Sequence, residues 1–164
     1  MKILVTYYSE TGNTKKVAEA IYEVADFDKE IKPVQAIQDT SGYDIIFCGF
    51  PVHAHSVPQK VIEFIKLLPG TQKIAFFSTH GSLRGGQLPK QAFEHALSLA
   101  VKSAVLGHFS CRGQVNPKII DALLKNPEHK AWGEEAQSAL GHPDENDLAD
   151  AKTFAVEMLA KARK

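Results

Sequence analysis

Ile3-Leu4-Val5-Thr6-Tyr7-Tyr8-Ser9-Glu10-Thr11-Gly12-Asn13-Thr14 is the stretch on which the fold turns. Its first half is short, uncharged, and rich in β-branched and aromatic residues, the composition of a strand buried on both faces of a parallel sheet. Its second half is polar and hydroxyl-rich, and after it Val17, Ala18, Ile21, Val24 and Ala25 recur at helical spacing. A turn between such a strand and such a helix leaves the first helical N–H groups without intrahelical partners, at the positive end of the macrodipole. A terminal phosphate is stabilised there without any arginine. Ser9, Thr11 and Thr14 offer hydroxyls, Asn13 an amide, and Gly12 close approach of the backbone. The ordinary alternative is a capped helix after a tight turn, because Ser, Thr and Asn favour those positions in any protein.

Other phosphate loops do not fit. A P-loop requires Gly-x-x-x-x-Gly-Lys-Ser/Thr and a dinucleotide fold Gly-x-Gly-x-x-Gly, and neither follows this strand. The pattern Ser/Thr-x-Thr-Gly-x-Thr, matched from Ser9 through Glu10, Thr11, Gly12 and Asn13 to Thr14, resembles the FMN phosphate loop of the flavodoxin family. A receiver domain shares that general fold but carries acidic residues at the end of its first strand, where this chain has Tyr7 and Tyr8. The resemblance implies FMN as cofactor and a sheet of strand order 2-1-3-4-5.

At 164 residues the chain has the length of one domain, read as a single flavodoxin-like domain over 1–164. A domain of this size buries about 70% of its unfolded surface, so no disulfide or metal is needed for stability. Cys48 and Cys111 form no Cys-x-x-Cys pair, which points to a reducing compartment. The N-terminus resembles neither a signal peptide nor a membrane span, so the expected location is the cytoplasm, with no membrane partner. Nineteen basic residues balance nineteen acidic ones, which gives no field for nucleic acid. That neutrality departs from the resemblance, since many electron-carrying flavodoxins are strongly acidic.

Along the chain, strand and helix patterns alternate. Ile31 to Ala36 reads as an edge strand, Tyr43 to Phe50 as a buried strand, and Val57 to Leu68 as a helix. Lys73 to Ser78 is the next strand, Leu88 to Ala100 a helix, and Ser103 to Cys111 a strand. Asn116 to Gly141 carries the pattern of one helix broken near Asn126-Pro127, and the closing helix follows Pro143 and its acidic neighbours. Alternation of this kind predicts an α/β three-layer sandwich, with a five-stranded parallel sheet and helices on both faces.

Ligands of open α/β sheets sit beyond the carboxyl ends of the strands at the switch point, here between the first and third strands. Pro51, Val52, His53, Ala54 and His55 follow the third strand; Thr79, His80, Gly81, Ser82, Gly85 and Gly86 follow the fourth. The resemblance implies that both segments flank a flavin. Flavodoxins usually stack an aromatic residue from these loops, whereas here His53, His55 and His80 stand in them, as candidates for catalysis or proton exchange. A shared metal on His53-x-His55 is disfavoured, because Val57 occupies the place where an acidic third ligand would follow. No glycine lies between Pro51 and Ser56, so a peptide flip to positive φ there costs about 1–2 kcal/mol. That cost favours two-electron over one-electron chemistry.

Three functions are consistent with these residues. The first is an FMN-binding redox protein exchanging electrons with a partner reductase. The second is an FMN-dependent reductase acting on a quinone-like or other small molecule with NAD(P)H. The third keeps the fold without a cofactor. Gly141-His142-Pro143-Asp144-Glu145 is also similar to a segment of compact flavodoxin-family proteins encoded near reductases, including those of bile pigments, which implies a redox neighbour and names no reaction.

Overall fold

Period-two alternation divides the core of the computed structural model, which describes all 164 residues. Strands β1 (Lys2–Tyr7), β3 (Ile45–Pro51) and β4 (Lys73–His80) send successive side chains to opposite faces. Ile3, Val5, Ile45, Phe47, Ala75 and Phe77 pack on one side, against α1 (Asn13–Val24) and α6 (Glu145–Ala162). Leu4, Ile46, Cys48, Ile74 and Phe76 pack on the other, against α2 (Gln59–Lys66) and α3 (Gln87–Leu99). These strands are covered on both faces, which is why their sequences are apolar without interruption.

With β2 (Asp28–Pro33) and β5 (Ala104–Arg112), the strands form one parallel sheet of order β2-β1-β3-β4-β5. The architecture predicted from the alternating pattern and the strand order implied by the resemblance are both present. The chain leaves β1 toward one sheet edge through β2 and returns to build the other edge from β3, so a crevice opens between the carboxyl ends of β1 and β3. No helix is long and apolar enough to cross a membrane.

Three boundaries differ from expectation. The edge strand begins at Asp28, before the apolar residues that suggested it, and ends at Pro33, after which Val34–Ala36 form a single 3₁₀ turn. An edge strand exposes one side to water, so Lys29, Glu30 and Lys32 suit it, and Pro33 supplies no N–H to extend the ladder. Strand β4 runs on through Thr79 and His80, because both still pair with Cys111 and Arg112 of β5. The broken helix is two helices, α4 (Pro117–Lys125) and α5 (Lys130–Gln137), separated where the Asn126 side chain accepts from Glu128 N–H at 3.0 Å. No residue of α4 is buried, despite Ile119, Ile120, Leu123 and Leu124, because it packs on α5 at the periphery of the sheet.

Candidate functional site

The turn after β1 leaves the start of α1 open. Gly12 is the N-cap at φ 92°, a left-handed conformation that glycine adopts without a Cβ penalty. Its N–H donates to Ser9 Oγ at 3.1 Å, and its carbonyl accepts from Lys16 N–H at 3.0 Å. No side chain caps this helix. The N–H groups of the first turn therefore remain available to an anion. Thr14 is buried and its hydroxyl meets that of Thr79 at 2.8 Å, tying α1 to the end of β4. Asn13 Nδ2 donates to the Gln114 carbonyl at 2.9 Å, so its amide serves a wall contact. Glu10 accepts from the Tyr8 hydroxyl at 2.6 Å and lies 3.8 Å from His53 Nε2.

Beyond β3 the chain makes a two-residue turn, with His53 and Ser56 exchanging backbone hydrogen bonds of 3.1 and 2.8 Å. Ala54 and His55 both have positive φ, 45° and 66°. The resting loop thus already holds left-handed residues without glycine, and the cost expected for a flip is present in the ground state. His53 faces Glu10 and packs edge-on to the Tyr8 ring, whereas His55 Nδ1 pairs with Gln91 of α3 at 2.8 Å. The two imidazoles turn to different partners and do not converge on one point.

His80 is buried, 5% exposed, with Nδ1 at 2.9 Å from Ser82 Oγ and 3.1 Å from the Ser82 carbonyl. Burial, more than any neighbouring charge, lowers its pKa to about 4. With its pKa that low, the imidazole is neutral near pH 7 in the folded chain. Gly81 follows, and a Cβ on it would collide with Val115 Cγ2, so glycine lets the β5 loop close over the end of β4.

These segments enclose a cavity of about 420 Å³ at the carboxyl ends of the strands. Of the residues marked in the sequence, Ser9, Glu10, Thr11, Asn13, Thr14, Pro51, Val52, His53, Ala54, Thr79, His80 and Gly81 line it. Gly12 acts behind the wall as the N-cap, and His55, Ser82, Gly85 and Gly86 are not part of the lining. The remaining wall is Gly113, Gln114, Val115, Asn116 and Ile119, which sequence reasoning missed. The available signal was Gly113 immediately after a strand end, the place where crevice-lining loops begin.

Several bonds fix that fourth wall. Gly113 N–H donates to the His80 carbonyl at 2.8 Å and Gln114 N–H to the His142 carbonyl at 2.8 Å, while Gln114 Oε1 accepts from Gly141 N–H at 3.2 Å. Arg112 donates to Ser82 O, Ser138 O, Glu135 O and Ser138 Oγ, at 3.1, 3.0, 3.0 and 2.7 Å, and so joins the β4 loop to the end of α5. His142 pairs with buried Asp147 at 2.5 Å, and Asp147 completes a reciprocal cap with Asp144 at the start of α6. The ligand-capable atoms of His142, Asp144 and Asp147 lie within 4.8 Å of one another, and the cap and pair account for that closeness. Cys48 and Cys111 are buried in the sheet, and burial pushes both thiols up, away from reactive thiolate.

Comparison with known proteins fits this geometry. The model of the flavodoxin domain matches residues 4–156. The flavodoxin-like domain-containing protein BilS of Clostridioides difficile is 32% identical over 177 positions, taking in 99% of this chain and 98% of that protein. An uncharacterized protein of Methanocaldococcus jannaschii is 28% identical, with 97% and 99% covered. Among solved structures, a flavodoxin from the domain Archaea has a TM-score of 0.66 at 18% identity over the whole of both chains. A flavoprotein of Lactobacillus acidophilus in complex with FMN has a TM-score of 0.56 at 23% identity, covering 66% of this chain and 92% of that one. Those structures bear on the fold alone, but a domain match that runs over nearly all the sheet and helices described above decides the family: the chain belongs to the flavodoxin-domain family.

Proposed function

We propose that the cavity binds FMN, with the phosphate on the Ser9–Thr14 turn and the ring between the β3, β4 and β5 loops, and that the protein exchanges electrons with a partner reductase. The observation that carries this reading is the uncapped N-terminus of α1 opening on a cavity. The donor set suits a phosphate ester: backbone N–H groups and hydroxyls, with no lysine or arginine among the lining residues. FMN would supply the electron chemistry, and the protein its binding, orientation and surrounding polarity. The FMN complex of the Lactobacillus acidophilus flavoprotein and the flavodoxin-like name of the Clostridioides difficile relative support the same reading.

The test is the absorbance spectrum of the purified protein, followed by titration of the cofactor-free protein. FMN is expected to bind far more tightly than riboflavin, because the turn recognises the phosphate. Equal affinities would overturn recognition of the phosphate by the turn, and a colourless protein that takes up no flavin would leave the cofactor-free alternative in its place.

A second reading, direct reduction of a small molecule with NAD(P)H, is favoured by the apolar Val115 and Ile119 in the cavity wall, Ile119 being also solvent-exposed. Stopped-flow mixing of the FMN form with NADH or NADPH separates the two. Slow bleaching supports exchange with a partner reductase; bleaching within seconds followed by quinone-dependent turnover supports the reductase.

A further inference from the structure

The turn that carries Ala54 into the cavity wall is held from outside the cavity. Ala54 and His55 have positive φ, 45° and 66°, in a tight turn whose central pair is usually Asn-Gly, Asp-Gly or Gly-Gly. Backbone of this kind persists only where its surroundings over-determine it. On the entering side, Val52 N–H donates to the Thr79 carbonyl of β4 at 2.9 Å. On the leaving side the hold comes from α3. His95 Nδ1 lies 2.7 Å from Ser56 Oγ and 3.4 Å from Val57 N, and Gln91 Oε1, one helical turn earlier, meets His55 Nδ1 at 2.8 Å. Neither Gln91 nor His95 lines the cavity.

Val57 fixes the sense of these bonds. It is 3% exposed, lies in neither strand nor helix, and its N–H has no backbone acceptor. An amide N–H can only donate, so His95 Nδ1 accepts from it and carries no proton, and the Ser56 hydroxyl donates to the same nitrogen. His95 is thus the sole partner of a buried backbone donor. Its loss leaves that donor with the full desolvation penalty.

We propose that His95 is a positioning residue for the cofactor: from outside the cavity it holds the β3 wall, Pro51 to Ala54, in the form that receives the flavin ring. The proposal rests on the FMN reading above. With the hold intact, the strained turn is made before the ligand arrives, and binding meets a finished wall. Without it, relief of positive φ at Ala54 and the unpaired Val57 N–H both drive the turn into other forms. Only the fraction of molecules still in the receiving form binds, so the apparent affinity falls by that fraction. The Ser9–Thr14 turn makes none of these bonds, so its grip on a phosphate is untouched. The loss is therefore the same for FMN and for riboflavin, which lacks the phosphate.

Two readings on the same variants test this: the dissociation constants of FMN and riboflavin for cofactor-free protein, and hydrogen exchange at the Val57 amide without ligand. In His95→Ala both constants are expected to rise by one shared factor of about tenfold, and the Val57 amide to exchange about tenfold faster. His95→Asn, whose Oδ1 stands near the place of Nδ1 and accepts likewise, is expected to restore most of the affinity and the protection. Alanine favours a helix more than histidine or asparagine does, so a role in the stability of α3 alone would give the opposite order. Ser56→Ala removes one of the two donors to Nδ1 and is expected to weaken both flavins in the same sense but less; it decides the matter if His95→Ala does not fold. A parent that binds neither flavin would overturn both this inference and the proposed function. A parent that binds FMN would overturn this inference alone if His95→Ala and Ser56→Ala bind as the parent does, if His95→Asn is as weak as His95→Ala, or if the loss is confined to FMN.

Discussion

Thr14 shows how a residue chosen for a ligand can first serve the fold. The sequence reading gave its hydroxyl to a phosphate, yet it and Thr79 meet at 2.8 Å with both side chains buried. Thr14→Val leaves the Thr79 hydroxyl enclosed and unpaired, and is expected to lower the urea-unfolding free energy of the cofactor-free protein by about 1–3 kcal/mol. The double variant Thr14→Val/Thr79→Val, which removes both polar partners at nearly constant shape, is expected to regain most of that loss; a fully additive double variant would show that the pair is not coupled. His80 and His108 carry a second residue-scale consequence. Both are lowered to about 4 by burial, so the folded state stays neutral while the unfolded chain takes up protons below about pH 6.5. Stability present above pH 6.5 is therefore lost as pH falls from about 6.5 to about 4, by roughly 3 kcal/mol at most for His80. Urea midpoints measured across that window are expected to fall steeply in the parent and less steeply in His108→Asn.

At the scale of elements, the turn after β3 and the α4–α5 pair are where local preference and tertiary context disagree. Ala54 at φ 45° sits where a Cβ is unfavourable. Ala54→Gly relieves that and adds some unfolded-state entropy, so a net stabilisation of about 0.5–1 kcal/mol is expected in chemical denaturation. Helix α4, with no buried residue, is expected to exchange its amide hydrogens far faster than the central strands β1, β3 and β4. Equal protection in the two would show that the pair unfolds only with the whole domain. The same contrast explains what could be read in advance. Central strands buried on both faces and helices with one apolar stripe write their burial into the order of residues, so β1, β3, β4 and α6 stood out. An edge strand such as β2 needs no apolar run, and its extent follows from pairing with β1 rather than from its own composition. Of the cavity, the walls that follow β1, β3 and β4 were legible because each adjoins a recognisable strand. The wall from Gly113 to Ile119 also adjoins a recognised strand, but its turn toward the crevice depends on Asn13, Gly141 and His142, residues remote from it along the chain, so it was missed.

For the whole molecule, the balance of nineteen basic and nineteen acidic residues bears on how it meets a partner. A protein without a net field gains little from long-range steering, and its encounters are correspondingly indifferent to salt. Reduction of a basic c-type cytochrome by the FMN-loaded, reduced protein is expected to change in rate by less than about threefold between low and physiological ionic strength. A steep fall with salt would instead reveal a local acidic docking face. The contact between Asn13 and Gln114 has a further consequence, in time rather than in energy. It joins residues 101 positions apart. At about 5–20 residues per second, the ribosome releases the Ser9–Thr14 turn roughly 5 to 20 s before the loop that walls it in, and longer before the His142 turn that braces that loop. The nascent chain thus passes through a stage in which the turn is made and the chamber is not. Retention of a cofactor in the chamber therefore awaits the Gly113–Ile119 wall and the His142 turn that braces it.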